Sequence, residues 1–244
     1  MKFGLVGTGP WARMTHGPGL VNAEGVELVG VWGRNAHDTA QLAAELGAEA
    51  YSDYPAMLED VDAVAFAVPP DIQAAMATEA ARAGKHLLLD KPVAIDAVAA
   101  GSLTAAVDAS RVATVVFFTD RFVDGTRTWL ADLQETGGWL GGWMRWFSAL
   151  QEPDNPFGGS PWRHERGALW DTGPHALSML SAALGPIDSI TAVAGEGDLI
   201  TLALCHSTRA TSTATLSQFV PPAAVCYEIG LWGESGFSAH SPIS

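Results

Sequence analysis

The sequence predicts an α/β protein in which an N-terminal doubly wound parallel sheet is followed by an α+β domain with an open, mostly antiparallel sheet. Three observations predict it. Short apolar runs alternate with alanine-rich segments of helical spacing through the first half, and a glycine turn follows the first run directly. Near residue 120 the texture changes to tryptophan-rich and then Thr/Val/Leu-rich segments.

Residues 2–6, 26–31, 61–68, 86–89 and 112–118 read as buried strands. Between them, residues 38–46 and 71–83 have helical spacing, the second stopped by Gly84. Strand and helix in alternation imply parallel strands joined by right-handed crossovers, with helices on both sheet faces. This sets a first domain at 1–119 and a second at 120–244. The second opens with tryptophans at 129, 139, 143, 146, 162 and 170, and a Pro/Gly-rich stretch at 151–161 interrupts regular structure. Its later part, residues 199–205 and Thr211–Ser217, alternates as antiparallel strands packed on helices by one face do.

Composition narrows the function classes. The 27 acidic residues against 13 basic ones give a net charge of −14, which disfavours phosphate backbones and anionic lipid, so neither nucleic acid nor membrane is an expected partner. No apolar run reaches the roughly 18 residues that span a bilayer, and the first residues lead into the glycine turn without a signal-like segment. A cytoplasmic location is the expectation. Cys205 and Cys226 are the two cysteines, are too few for a disulfide framework, and read as reduced and buried.

Gly7-Thr8-Gly9-Pro10-Trp11-Ala12 matches G-x-G-x-x-G/A between a strand and a helix, the context in which the pattern marks a dinucleotide site. Gly7 permits the tight turn, Gly9 lets backbone N–H groups approach a pyrophosphate, Ala12 allows close helix–sheet packing, and Pro10 suits a first helical turn. After the second strand, where a carboxylate usually binds the ribose hydroxyls of NAD, the chain reads Val31-Trp32-Gly33-Arg34-Asn35. Gly33 removes that carboxylate, and Arg34 offers a fork of charge-assisted bonds to a 2′-phosphate, predicting a preference of about ten- to hundredfold for NADP, with NAD the alternative. An arginine stacked on adenine without discriminating is the other reading of Arg34.

Leu89-Asp90-Lys91-Pro92 puts a lysine at the carboxyl end of an interior strand, where open parallel sheets bind ligands, although a solvent-facing lysine would read the same. Asp171 and His175 are four residues apart, and on one helix they would share a face. An imidazole titrates near working pH and a neighbouring carboxylate fixes its tautomer, as proton transfer to or from an alcohol requires; a helix-capping Asp beside an incidental histidine is the alternative. No His/Cys/Asp/Glu cluster supplies a metal ligand set.

Together the Gly-Thr-Gly turn, the segment Ala83-Gly84-Lys85-His86-Leu87-Leu88-Leu89-Asp90-Lys91-Pro92 and Asp171-x-Gly173-x-His175 resemble the glucose-fructose oxidoreductase, inositol dehydrogenase and MocA family. Arg121-Phe122 and Trp162-Arg163 also fall where that family often has similar pairs. The resemblance implies a Rossmann domain followed by an α/β domain with an open sheet, NAD or NADP as cofactor, and a sugar, polyol or related hydroxy or keto compound as substrate. It implies that Lys91 lies between nicotinamide and substrate, that Asp171 and His175 face the reacting carbon with His175 as acid/base, and that a cis peptide precedes Pro92. The expected cofactor contacts are Gly7, Thr8, Gly9, Pro10, Trp11, Arg34, Asn35, Pro69, Asp90 and Lys91.

The chain departs from the family pattern at several points. Asp90 stands where Glu is usual, Val68-Pro69-Pro70 replaces a Thr-Pro-Asn turn, and Gln73 occupies the position of a common histidine. Arg166-Gly167-Ala168 replaces a glycine-rich run and is expected to form a bulkier, more cationic loop beside the substrate. Gly233-Glu234-Ser235-Gly236 reads as a turn within the second sheet, after which family members continue further than Ser244. A shortened sheet of that kind is expected to pair with a second copy through the second domain. The rival to an NADP-dependent oxidoreductase is a catalytically silent nucleotide-binding regulator or partner subunit.

Overall fold

The computed structural model describes residues 1–241, and the chain forms two compact units, Met1–Phe117 and the part from Phe118 onward. The first contains β1 (Lys2–Val6), β2 (Glu27–Trp32), β3 (Glu49–Tyr51), β4 (Ala63–Phe66), β5 (His86–Leu89) and β6 (Thr114–Val116), all paired in parallel in the order β3-β2-β1-β4-β5-β6. Strand order reverses between β1 and β4, so the loops that leave their carboxyl ends diverge and open a crevice.

Helices cover both faces of this sheet. They are α1 (Gly17–Asn22), α2 (Ala36–Leu46), α3 (Tyr54–Asp60), α4 (Pro70–Arg82) and α5 (Ala97–Ser110). The pleat sends neighbours to opposite cores: Leu5 and Ala65 pack with Leu20, Val31 and Leu42, whereas Val6 and Phe66 pack with Met57, Leu87 and Leu103. Asn35 caps α2 by accepting from the His37 and Asp38 N–H groups, and Gly47 closes it at φ 68°. Gly84 after α4 has φ 75°, as its expected role as a helix stop demands.

Several details differ from the sequence expectation. β3 was not anticipated, because its three residues carry no buried apolar run. The fourth strand in the chain and the edge strand β6 are shorter than the runs at 61–68 and 112–118. The segment after the glycine turn is first a π-helical turn, Ala12–His16, in which the Gly17 N–H reaches back to the Ala12 carbonyl before α1 begins.

The second unit contains α6 (Asp124–Thr136), β7 (Trp139–Phe147), α7 (Pro161–Asp171), α8 (Gly173–Leu184), β8 (Ile187–Ala194), β9 (Ile200–His206), β10 (Thr211–Ser217), β11 (Cys226–Gly233) and β12 (Gly236–His240). Its sheet runs β12-β11-β7-β10-β9-β8 and is mixed: β7 and β10 are parallel, the other pairs antiparallel. One face, with Met144, Leu202, Leu204, Leu216, Ile229 and Leu231, packs on Met179 and Leu180 of α8 and on Leu130 and Leu133 of α6. Glu234-Ser235 makes the tight turn between β11 and β12. Residues 151–160 form no helix or strand, as their Pro/Gly content predicts. Ser244, on which the expectation of a shortened sheet turns, lies outside the described residues.

Two expectations in the second unit need correction. Arg166-Gly167-Ala168 is not a loop but part of α7, which kinks at Gly167, where φ is 64°. Asp171 and His175 do not share one helix: Asp171 closes α7, and His175 lies in the first turn of α8 beyond Thr172. Pro174 suits the opening of α8, where no N–H bond is lost, and the break falls there.

Candidate active site and nucleotide crevice

A cavity of about 510 Å³ occupies the crevice of the first unit, within the size range of small-molecule sites. The loop after β1 contributes Gly7, Thr8 and Gly9; the loop after β2 contributes Gly33, Arg34 and Asn35; the loop after β4 contributes Val68 and Pro69. Gly7 has φ 121°, and a Cβ there would lie 2.3 Å from the Ala67 carbonyl oxygen, so no other residue fits the turn. At Gly9 a Cβ would meet nothing within 4 Å: the backbone there faces open space and is accessible to a ligand. Ala12 is fully buried against Leu5, Leu20 and Ala65, the close packing expected of the motif's last position.

Gly33 has a steric reason as well as the electrostatic one inferred from sequence. A Cβ would press on Thr8 Cγ2 at 2.7 Å and on Thr39 Oγ1 at 2.9 Å. Arg34 is exposed on the rim of the cavity, and the Asn35 side-chain oxygen is engaged in capping α2. Sequence reading missed Asp38, a carboxylate in the first turn of α2 that also lines the cavity, together with Trp32, Ala67 and Ile72. The open glycine backbone, the guanidinium and the apolar walls fit the pyrophosphate and adenosine portions of a dinucleotide. Pro10, Trp11, Asp90 and Lys91 lie outside this cavity's lining: the first two open the helical segment behind the turn, and the others follow β5.

The Asp90-Lys91-Pro92 turn is locked by a residue the sequence marked only as a departure. Gln73, fully buried on α4, accepts from the Asp90 N–H at 2.9 Å and donates to the carbonyls of Asp90, Pro92 and Val93 at 2.7, 3.2 and 3.3 Å. The Lys91–Pro92 peptide is cis, and Lys91 is partly buried. A single amide therefore fixes the backbone from which Lys91 projects.

In the second unit, Asp171 accepts from Arg163 Nε at 3.0 Å, and the Arg163 guanidinium stacks over Trp162 and Phe157. His175 is buried, with Trp146 of β7 at 5.2 Å and Phe118 edge-on at 6.1 Å between ring centres. The carboxylate that meets its Nδ1 is Asp120, at 3.6 Å, a residue the sequence reading did not single out. Asp198 was also missed: it accepts from the Ala168 N–H, the Gln218 N–H and the Ser217 hydroxyl, tying the kink of α7 to the end of β10. Among the described residues no group of His, Cys, Asp and Glu could hold a metal ion.

Residues 1–118 match the model of an oxidoreductase family with an NAD-binding Rossmann fold, the glucose-fructose oxidoreductase, inositol dehydrogenase and MocA family. The first unit belongs to that family and is its NAD-binding Rossmann domain. Among curated relatives, the UDP-N-acetylglucosamine 3-dehydrogenase of Acidithiobacillus ferrooxidans is 35% identical over 103 residues, 42% of this chain and 32% of that protein. The matched segment thus spans about a third of that relative's length. A solved structure of the same protein superposes with a TM-score of 0.84 at 20% identity, over 100% of this chain and 77% of that one. The WlbA dehydrogenase of Chromobacterium violaceum, solved with NADH and UDP-GlcNAcA, gives 0.84 at 22% identity over 96% of this chain and 72% of that one. At these identities the likeness shows the fold of both units.

Proposed function

We propose that the chain is an NADP-dependent oxidoreductase that moves hydride between nicotinamide and a carbinol or carbonyl carbon of a sugar, polyol or related small molecule. The observation that carries the reading is the glycine-floored cavity at the reversal of strand order, with Arg34 on its rim. The nicotinamide, when bound, supplies the site that gives or takes hydride. Backbone N–H groups of Gly7 to Gly9 bind the pyrophosphate, with Pro10, Trp11 and Pro69 around them, and Arg34 grips the 2′-phosphate beside Asn35. Lys91, held by the Gln73–Asp90 clamp, polarises the substrate oxygen, and His175 takes or returns its proton, with Asp171 beside the reacting carbon.

Asp38 favours a second reading of the cofactor, because a carboxylate in the cavity binds the ribose hydroxyls of NAD and repels a 2′-phosphate. Titration of nicotinamide fluorescence separates the two. NADP should bind at least about tenfold more tightly than NAD, and Arg34→Ala should erase most of the difference. Equal affinities in the wild type would sink the NADP assignment, and tighter binding of NAD would favour the second reading.

The relatives named above act on, or are bound to, nucleotide sugars, which supports a sugar-derived substrate. The sheet face turned away from α8 carries Trp143, Arg145, Thr213, Trp232 and the exposed Cys205. Arg145 there is already neutralised by Glu228 at 2.6 Å and lies over Trp143. We assign that face to a homodimer burying at least about 1,200 Å² in total; a monomer by light scattering at micromolar concentration would refute it. Both cysteines are free, but contrary to the burial expected of them Cys205 is exposed and Cys226 half-buried, because the strand pleat turns Cys205 to the uncovered sheet face; we retain the cytoplasm as the proposed location on the reduced state of these thiols. No helix among the described residues is long and apolar enough to cross a membrane.

A further inference from the structure

Asp120 lies in the 3-10 turn Thr119–Phe122, just before α6, and brings its Oδ2 to 3.6 Å from His175 Nδ1. Both side chains are largely buried, 16% and 7% exposed. That distance is longer than a hydrogen bond and within ion-pair range, close enough for the carboxylate to favour the protonated ring. Trp146 and Phe118 hold the imidazole from two sides, so Nδ1 stays turned to the carboxylate.

The other titratable and charged groups around the pair do not offset Asp120. Tyr227 of β11 packs on Trp146 at 4.2 Å between ring centres, and burial, then Asp120's charge, then a hydrogen bond to Asp120 push its phenol pKa far up, so it stays a neutral neighbour of that carboxylate and leaves its charge in place. His240 of β12 has its pKa lowered by burial, against an opposing pull from Asp120. Arg121 donates to Ser178 Oγ on α8, and Asp171 at the end of α7 is paired with Arg163. Asp120 is therefore a shared negative pole at the foot of this cluster.

We propose that Asp120 is the positioning residue of His175, selecting the tautomer with the proton on Nδ1 and leaving Nε2 to exchange a proton with the substrate. The use of that proton rests on the oxidoreductase reading; the pairing does not. In the oxidative direction the carbinol C–H bond breaks as hydride passes to the nicotinamide. The O–H proton goes to Nε2, Nδ1 keeps its own, and Asp120 stays ionised against the imidazolium. Reduction runs the same transfers backwards.

Ring nitrogen NMR of the full chain tests the pairing without any activity, with His175 assigned by difference from His175→Gln. In the wild type the neutral ring carries its proton on Nδ1. Asp120→Asn moves the His175 titration toward acid by about one pH unit or more, and Asp120→Glu restores most of it. In turnover, Asp120→Asn lowers kcat by about ten- to hundredfold with little change in KM and shifts the acid limb of the pH profile to lower pH. A wild-type ring protonated on Nε2, or a titration unmoved in Asp120→Asn, overturns the proposal even if the enzyme is active. A wild type that binds NADP but turns nothing over sinks the oxidoreductase reading, while the NMR result still decides the pairing.

Discussion

Gln73→Leu isolates the clamp on the Asp90-Lys91-Pro92 turn. Leucine has nearly the volume of glutamine, so the change removes hydrogen bonds without opening a large cavity. It leaves the Asp90 N–H without its acceptor and takes the shared donor from the carbonyls of Asp90, Pro92 and Val93. Each orphaned group in a part-buried setting costs about 1–3 kcal/mol, and counting one donor and one effective acceptor gives about 2–6 kcal/mol. Because the three carbonyls share one NH₂ group, counting each separately would overstate the loss. Urea unfolding of the first unit should show its midpoint lowered by about 1–2 M, with the slope unchanged. Hydrogen exchange should show the Asp90 amide losing protection ahead of β4. A Gln73→Leu protein within about 0.5 kcal/mol of wild type, with the Asp90 amide still protected, would refute the idea that this side chain holds the lysine-bearing turn.

Three further outcomes follow from the geometry. Burial lowers the His16 pKa from 6.5 to about 4, so its contribution of about 3 kcal/mol is present above pH 6.5 and lost as pH falls through 4; in His16→Leu the stability slope over that window should flatten in denaturant melts. Gly7→Ala sets a Cβ against the Ala67 carbonyl at a positive φ and should cost about 2–4 kcal/mol by urea unfolding, with loss of nucleotide binding. Asp198→Ala removes the acceptor of three bonds that join α7 to β10 and should destabilise the second unit by about 2–4 kcal/mol, whereas a change below about 0.5 kcal/mol would show those bonds to be exchanged for water at little cost.

The first unit was legible because its physics is local. Apolar runs and glycine punctuation specify buried parallel strands and the turn at Gly7, whose φ and crowding leave no alternative to glycine. β3 escaped because a short, exposed edge strand leaves no apolar signature. The second unit was harder to read around the candidate site. The i, i+4 spacing of Asp171 and His175 suggested one helix face, but spacing does not reveal a break at Thr172 or the engagement of Asp171 by Arg163. Asp120 reaches His175 from a turn 55 residues earlier in the chain, and Gln73 reaches the lysine turn after β5 from α4; neither contact has a local pattern. Gly33 was read as a missing charge, and only packing shows that Thr8 and Thr39 also exclude a side chain there.

The central claim is that these residues perform nicotinamide-linked oxidation or reduction of a hydroxyl or carbonyl carbon. Its most direct test is the absorbance of reduced nicotinamide when the purified protein meets NADP or NAD and a panel of polyols, aldoses and nucleotide sugars, for wild type and for His175→Ala. The expected result is protein-dependent turnover of at least one compound, lowered about a hundredfold or more in His175→Ala while cofactor affinity is nearly unchanged. A wild type that binds the cofactor tightly and leaves every compound untouched would contradict it and favour a silent nucleotide-binding protein.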